Sequence, residues 1–141
     1  MPTRLFLCNL KVYADIKKDI AQAKLKFATK QPVTDYWTCG NVTSIQKGDV
    51  AYFLRVGDSQ RGIFASGVIL RPPAFKTVQY RWDTVVNDFN KPLLISELLQ
   101  RPEFSGANFY VRGSGYKLAE EYTSALNTEW QQYVNSFGVR A

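Results

Sequence analysis

One tryptophan in this sequence stands where it could meet a ligand. Trp37 lies in the polar, glycine-bearing stretch Thr34-Asp35-Tyr36-Trp37-Thr38-Cys39-Gly40-Asn41. A flat ring in such a place can stack on a nucleobase for about 1–3 kcal/mol; core packing is the alternative reading of the same residue. Trp130, on an apolar helical face, and Trp82, alternating with polar strand residues, read as core. Catalytic chemistry is poorly supplied. With no histidine, the sequence cannot assemble a Ser-His-Asp or Cys-His nucleophile or a His-Glu-x-x-His zinc site. Two cysteines, Cys8 and Cys39, cannot complete a zinc site without it and read as reduced thiols. The acid-x-lysine triplet Asp15-Ile16-Lys17 falls at a helix start, where Asp15 serves as a cap. Gly113-x-Gly115 lacks the remainder of a phosphate-loop signature. The expectation is a protein without catalytic residues, metal or cofactor.

The elements that must position Trp37 follow from patterning. The 141 residues suit a single domain spanning 1–141, with a net charge of +6 and 3 Trp, 8 Tyr and 9 Phe. Cations with many rings suit nucleic acid, and suit small β-rich domains with aromatic cores equally. Residues 1–70 carry ten Lys or Arg against five Asp or Glu, and residues 71–141 carry eight against seven, so the basic surface is expected on first-half elements. The apolar stretch from Leu5 to Leu10 is too short for a signal-peptide core, and nothing approaches the roughly 20 apolar residues of a membrane span. A cytoplasmic protein with no membrane partner is expected.

Thr3 to Asn9 reads as a buried strand. Ile16, Ile20, Ala23 and Phe27 share one helical face, and Pro32 ends that segment. A loop then carries Trp37. Lys47-Gly48-Asp49 turns into the strand Val50 to Val56, and Gly57-Asp58-Ser59-Gln60 connects it to a return strand, Arg61 to Leu70. Pro72-Pro73 breaks the pattern before a strand from Lys76 to Val86. A short helix from Ile95 to Gln100, a last strand from Asn108 to Arg112 and a helix from Ala119 to Ser136 complete the chain, with Tyr122, Leu126, Trp130, Val134 and Phe137 inward. This order predicts an α+β domain with a small, strongly curved mixed sheet flanked by helices.

The pieces around Trp37 carry a family resemblance. Trp37-Thr38-Cys39-Gly40-Asn41, Ser44-Ile45, Gly48-Asp49, Phe53-Leu54-Arg55, Gly57 and Arg61-Gly62-Ile63-Phe64-Ala65-Ser66-Gly67 resemble, in order and spacing, an EVE domain of the PUA-like superfamily, which is related to YTH domains. Leu7-Cys8-Asn9, Trp82-Asp83, Pro92-Leu93-Leu94, Asn108-Phe109, Ser114-Gly115 and Trp130 extend the likeness over nearly the whole chain. The nearest pattern is that of EVE domains preceding HNH nucleases in bacterial modification-dependent restriction enzymes. Phe109 stands where that family usually has tryptophan, and Arg112 where a neutral amide is usual.

The resemblance implies a PUA-like fold with a barrel-like sheet and a non-catalytic reader of a modified base in DNA, a 5-methylcytosine type favoured, flipped into an aromatic pocket. Extrusion costs a few kcal/mol, offset by stacking and edge hydrogen bonds. The base-binding set it implies is Asn9, Trp37, Thr38, Cys39, Phe75, Trp82, Ser114 and Gly115, with Phe75 as an opposing wall. Lys11, Lys47, Arg55, Arg61, Arg71 and Arg112 are the phosphate contacts. The partner is nucleic acid, DNA ahead of RNA, with a possible nuclease or other effector elsewhere, because a chain without histidine cannot encode an HNH nuclease. An RNA-binding PUA-like domain, a small carboxylate-only hydrolase and a protein-interaction adaptor are the alternatives.

Overall fold

A computed structural model describes residues Met1–Ala141. Eight strands form one mixed sheet: β1 (Thr3–Asn9), β2 (Val33–Thr38), β3 (Val50–Val56), β4 (Gly62–Ala74), β5 (Thr77–Val86), β6 (Leu93–Leu94), β7 (Tyr116–Lys117) and β8 (Gly138–Arg140). Their spatial order is β2-β5-β4-β3-β1-β7, with β6 on β4 and β8 on β5. β1 runs parallel to β3, and every other pairing is antiparallel. Helices α1 (Ile16–Ala28), α2 (Ile95–Leu98) and α3 (Thr123–Phe137) complete the α+β fold.

The sheet curls without closing. β2 and β1 stand four places apart in the strand order, about 19 Å across a flat sheet. Yet the Trp37 indole on β2 donates from Nε1 to Leu7 O on β1 at 3.3 Å. Only strong curvature brings them so near, while β2 and β7 remain edges and no barrel forms. An aromatic chain fills the curl. Phe53 stacks on Phe6 and meets Trp37, Tyr80 and Trp82 at ring-centroid distances of 4.8–5.7 Å. α1 lies against this side through Ile16, Ile20, Ala23 and Phe27, which are all buried.

α3 covers the opposite face. Trp130 sits edge-on to Tyr52, and its Nε1 donates to Ser66 Oγ at 2.8 Å and Thr84 Oγ1 at 2.9 Å. Trp82 and Thr84 therefore face opposite sides despite their two-residue spacing. An irregularity makes this possible, since Ser66 pairs with Thr84 while Gly67 pairs with Trp82, leaving Asp83 unmatched. Gly67 is required there, because a Cβ would lie 1.7 Å from Arg81 O.

Several local expectations are corrected. Residues 33–38 form the edge strand β2, not a loop, because its backbone pairs with β5 from Val33↔Trp82 to Thr38↔Thr77. β4 runs through Pro72-Pro73 to Ala74, absorbing the prolines as register shifts between Ile69 and Ala74. Residues 108–112 form no strand, and the late pairing partner of β1 is Tyr116–Lys117. Asp15 makes no side-chain cap to α1; its carboxylate lies 3.8 Å from Lys18 instead. The short helix ends at Leu98 and the last begins at Thr123, after a separate 3₁₀ turn over Glu120–Tyr122. Phe137 is half exposed because the chain turns into β8 beside it.

Candidate nucleic-acid interface

β2 carries Trp37 to the seam of the curl. Its alternation places Trp37 inward, 5 % exposed, between exposed Tyr36 and Thr38. Phe53 and Tyr80 meet the indole edge-on, and Tyr13 lies parallel on it, ring centroids 4.4 Å apart at 17°. That spacing is the offset-stacked arrangement a planar base would adopt. Tyr13 comes from the turn between β1 and α1, where Asn9 O accepts from the N–H groups of Val12 and Tyr13. Burial raises the Tyr13 phenol, with neighbouring Cys8 adding to the effect.

Two of the expected base-binding residues, Trp37 and Ser114, meet at Leu7 of β1. Leu7 O accepts from Trp37 Nε1, and Leu7 N–H donates to Ser114 Oγ at 2.9 Å. Two residues along β1, Asn9 Oδ1 accepts from Lys11 N–H at 3.0 Å, while Gly57 packs so closely that a Cβ there would sit 2.8 Å from Asn9 Nδ2. Gly115, at φ +95°, donates its N–H to Leu5 O at 2.8 Å. Beneath them lies a buried ion pair. Arg4 Nε meets Asp49 Oδ2 at 3.2 Å, and the guanidinium also donates to Gly115 O and Ser44 O. One side chain thus ties β1 to both neighbouring loops, and Asp49 Oδ1 has no partner.

Other expected roles do not match the placements. Cys39 is buried, and its N–H is committed to Lys76 O at 2.8 Å while its carbonyl accepts from Val42, so this peptide offers nothing to a base edge. Thr38 is exposed and donates through Oγ1 to Lys76 O at 3.4 Å. Trp82 belongs to the core, edge-on to Phe53 and Phe64 with Nε1 unpartnered, and forms part of a cleft of about 280 Å³ with Phe27, Lys30, Pro32, Val33 and Arg81, away from Trp37. Phe75 is 99 % exposed and no opposing wall to Trp37; Tyr13 holds that place.

The cations divide likewise. Arg55 is buried, bonded to Asp58 at 2.8 Å, to Phe89 O and to Asn90 Oδ1, and lies over the Phe89 ring. It braces the β3–β4 connection, and its hydrogen bond to Asp58 lowers that carboxyl below its usual range. Arg61 donates to Phe109 O and Val111 O and lies over Tyr110, holding residues 109–111 in place. Burial lowers the Arg61 guanidinium from its usual value. Lys11, Lys47, Arg71 and Arg112 are exposed and able to meet phosphate.

The hairpin joining β4 to β5 adjoins Trp37. Ala74 pairs with Thr77, leaving Phe75 and Lys76 as a two-residue connection with φ of +52° and +63°. Positive φ at both positions is the requirement that Asn-Gly usually meets in hairpins; for side chains like these it costs about 1–2 kcal/mol per residue. Neither Lys76 nor Tyr13 was singled out from sequence. An aromatic inside the polar β1–α1 turn was the available signal for Tyr13. Lys76 carried none, since Pro72-Pro73 concealed the continuing strand.

No protein-family model and no curated protein matches this chain. Among solved structures, a hypothetical protein from Leishmania major is similar at a TM-score of 0.65 and 14 % identity, over 94 % of this chain and 96 % of that one. The likeness extends to the fold. No group of three or more metal-ligating side chains gathers anywhere, and no helix is long and apolar enough to cross a membrane.

Proposed function

We propose that this chain is a PUA-like domain of the EVE type, and that it reads a modified base in DNA by stacking the extruded base on Trp37. The observation that carries this reading is the Tyr13–Trp37 stack, a planar ring lying on the indole at 4.4 Å beside Leu7, which also bonds to Ser114. Tyr13 is half-buried and held by a turn, so its ring can swing aside or form the second face of a sandwich around the base. Stacking alone accepts any base. Discrimination of a 5-methylcytosine type falls to the groups that converge at the seam, where a poorly fitting base leaves polar atoms unpaired. Asn9 supplies one edge-reading amide, and Ser114, already accepting from Leu7 N–H, retains its hydroxyl proton.

Charge supports the same partner. Residues 36–48 and 59–82 contain no Asp or Glu while carrying Lys47, Arg61, Arg71, Lys76 and Arg81. Arg81 is paired with Asp83 and Arg61 is bonded to the carbonyls of Phe109 and Val111, which leaves exposed Lys47, Arg71 and Lys76 as the cations that attract phosphate.

The test is a titration of oligonucleotides identical except for 5-methylcytosine, 5-hydroxymethylcytosine, 6-methyladenine or the plain base, using the wild type and Trp37→Leu, which stays apolar but removes the stacking ring. The expected result is a wild-type preference for a modified cytosine that Trp37→Leu abolishes, leaving a salt-sensitive component common to every oligonucleotide. Equal wild-type affinities for all of them overturn the proposal. Competition with RNA of matched sequence assigns the sugar.

A further inference from the structure

The geometry points to a second role at the hairpin tip: Phe75 is a wedge that enters the base stack of double-stranded DNA beside the extruded nucleotide. The inference rests on the base-reading proposal and adds that the substrate is a duplex. Four observations carry it. The Phe75 ring is 99 % exposed. It is held there by backbone that side chains rarely adopt, at φ +52° followed by +63°, and a strained exposed apolar tip marks a function elsewhere than in folding.

The tip is also fastened. Lys76 O accepts from Cys39 N–H at 2.8 Å and from Thr38 Oγ1, and Thr77 Oγ1 donates to Ala74 O at 3.0 Å. These bonds fix the wedge to the chain immediately following Trp37, so ring and indole keep a set separation. Finally, the stem is basic. Lys76 stands at the tip and Arg71 on β4, and the turn bearing Lys47 is bonded to the same strand through Gly48 N–H to Ile69 O at 2.8 Å. Phosphates flanking an opened base step would face these cations, with Pro72 and Pro73 stiffening the stem between. Apolar side chains inserted at a base step unstack and kink a duplex, and the vacancy left by an extruded base is where such a ring costs least.

The experiment compares wild type, Phe75→Asn and Phe75→Trp on 5-methylcytosine oligonucleotides in duplex and single-stranded form, with 2-aminopurine beside the modified base to report unstacking. Phe75→Asn suits the positive φ and removes the ring. It is expected to lower duplex affinity at least about tenfold, to abolish the 2-aminopurine signal, and to leave single-strand affinity within about twofold. Phe75→Trp restores both duplex readouts. An equal loss on both forms, no loss on either, or wild-type binding confined to single strands overturns the wedge. So does a shift from dimer to monomer in sedimentation of Phe75→Asn, which assigns the ring to a second copy. Indifference of the wild type to the modification on both forms sinks the base-reading proposal instead, so the two failures are separable.

Discussion

Trp130 and Trp37 are both buried, but their surroundings differ in kind. Trp130 is locked from every side: its N–H is shared by two hydroxyls on adjacent strands, its edge lies on Tyr52, and Tyr133 stacks beside it. Trp37 is held on its edges by Phe53 and Tyr80, but its face is covered by one half-buried tyrosine from a turn. The first is held by two side-chain hydrogen bonds and two rings. The second has a partly exposed ring from a turn on its face. On the proposed reading, that difference separates a tryptophan serving the fold from one that serves a ligand, and burial by itself does not.

Four further measurements sharpen that contrast. The largest effect is expected at Trp130→Ala, about 3–5 kcal/mol of stability lost in chemical denaturation, because the cavity also leaves Ser66 and Thr84 facing apolar space. A loss under about 1 kcal/mol would show that the α3 face is not the structural one. Asp49→Asn strips Arg4 of its charge partner and is expected to cost nearly as much, about 3 kcal/mol, while loosening the loops that carry Ser114 and Gly115. Hydrogen exchange at residues 42–48 and 113–115 reads that loosening.

A smaller effect of opposite sign is expected from replacing the Phe75-Lys76 tip by Asn-Gly. Relief of the two positive-φ residues raises stability by about 1–2 kcal/mol, read as a higher thermal midpoint, while duplex binding falls; unchanged stability would remove the strain argument. The smallest effect at neutral pH is expected at Cys8, buried on β1. Burial pushes the Cys8 thiol up from 9.0 to about 12, so it stays neutral in the fold where the unfolded thiol ionises. That contribution is complete below pH 9 and is lost as pH rises towards 12. Cys8→Ala is expected to flatten the slope of stability between pH 9 and 11, and native Cys8 to resist alkylation.

Much of the fold was legible from period alone. The strand Val50 to Val56, the α1 stripe and Trp130 on its helix stand where patterning predicts them, because burial imposes those periods on sequence. β2 was missed because an edge strand with exposed Thr34, Asp35 and Tyr36 lacks that pressure and shares its composition with loops. The prolines of β4 misled for a related reason, since the register shifts around them tolerate a missing donor. At the site, Trp37 and Ser114, which the resemblance implies, both bond to Leu7 of β1, while Asn9 bonds to Lys11 N–H. Arg55 is buried and paired where a phosphate contact is expected, because a buried arginine with an aspartate three residues on has the same composition as a free surface cation; Trp82 lies in the core, as its strand alternation predicts.

The place of β1 has a consequence for how the chain is made. Its residues, Thr-Arg-Leu-Phe-Leu-Cys-Asn, are made before either of their partners, yet the strand sits inside the sheet between β3 and β7. Its first partner arrives with Val50 and its second with Tyr116. Until then this nearly apolar segment has both backbone edges open, and its pairing with β3 closes a long loop, an intrinsically slow step. The segment that anchors Trp37 and Ser114 therefore waits for both of its neighbours before it is paired.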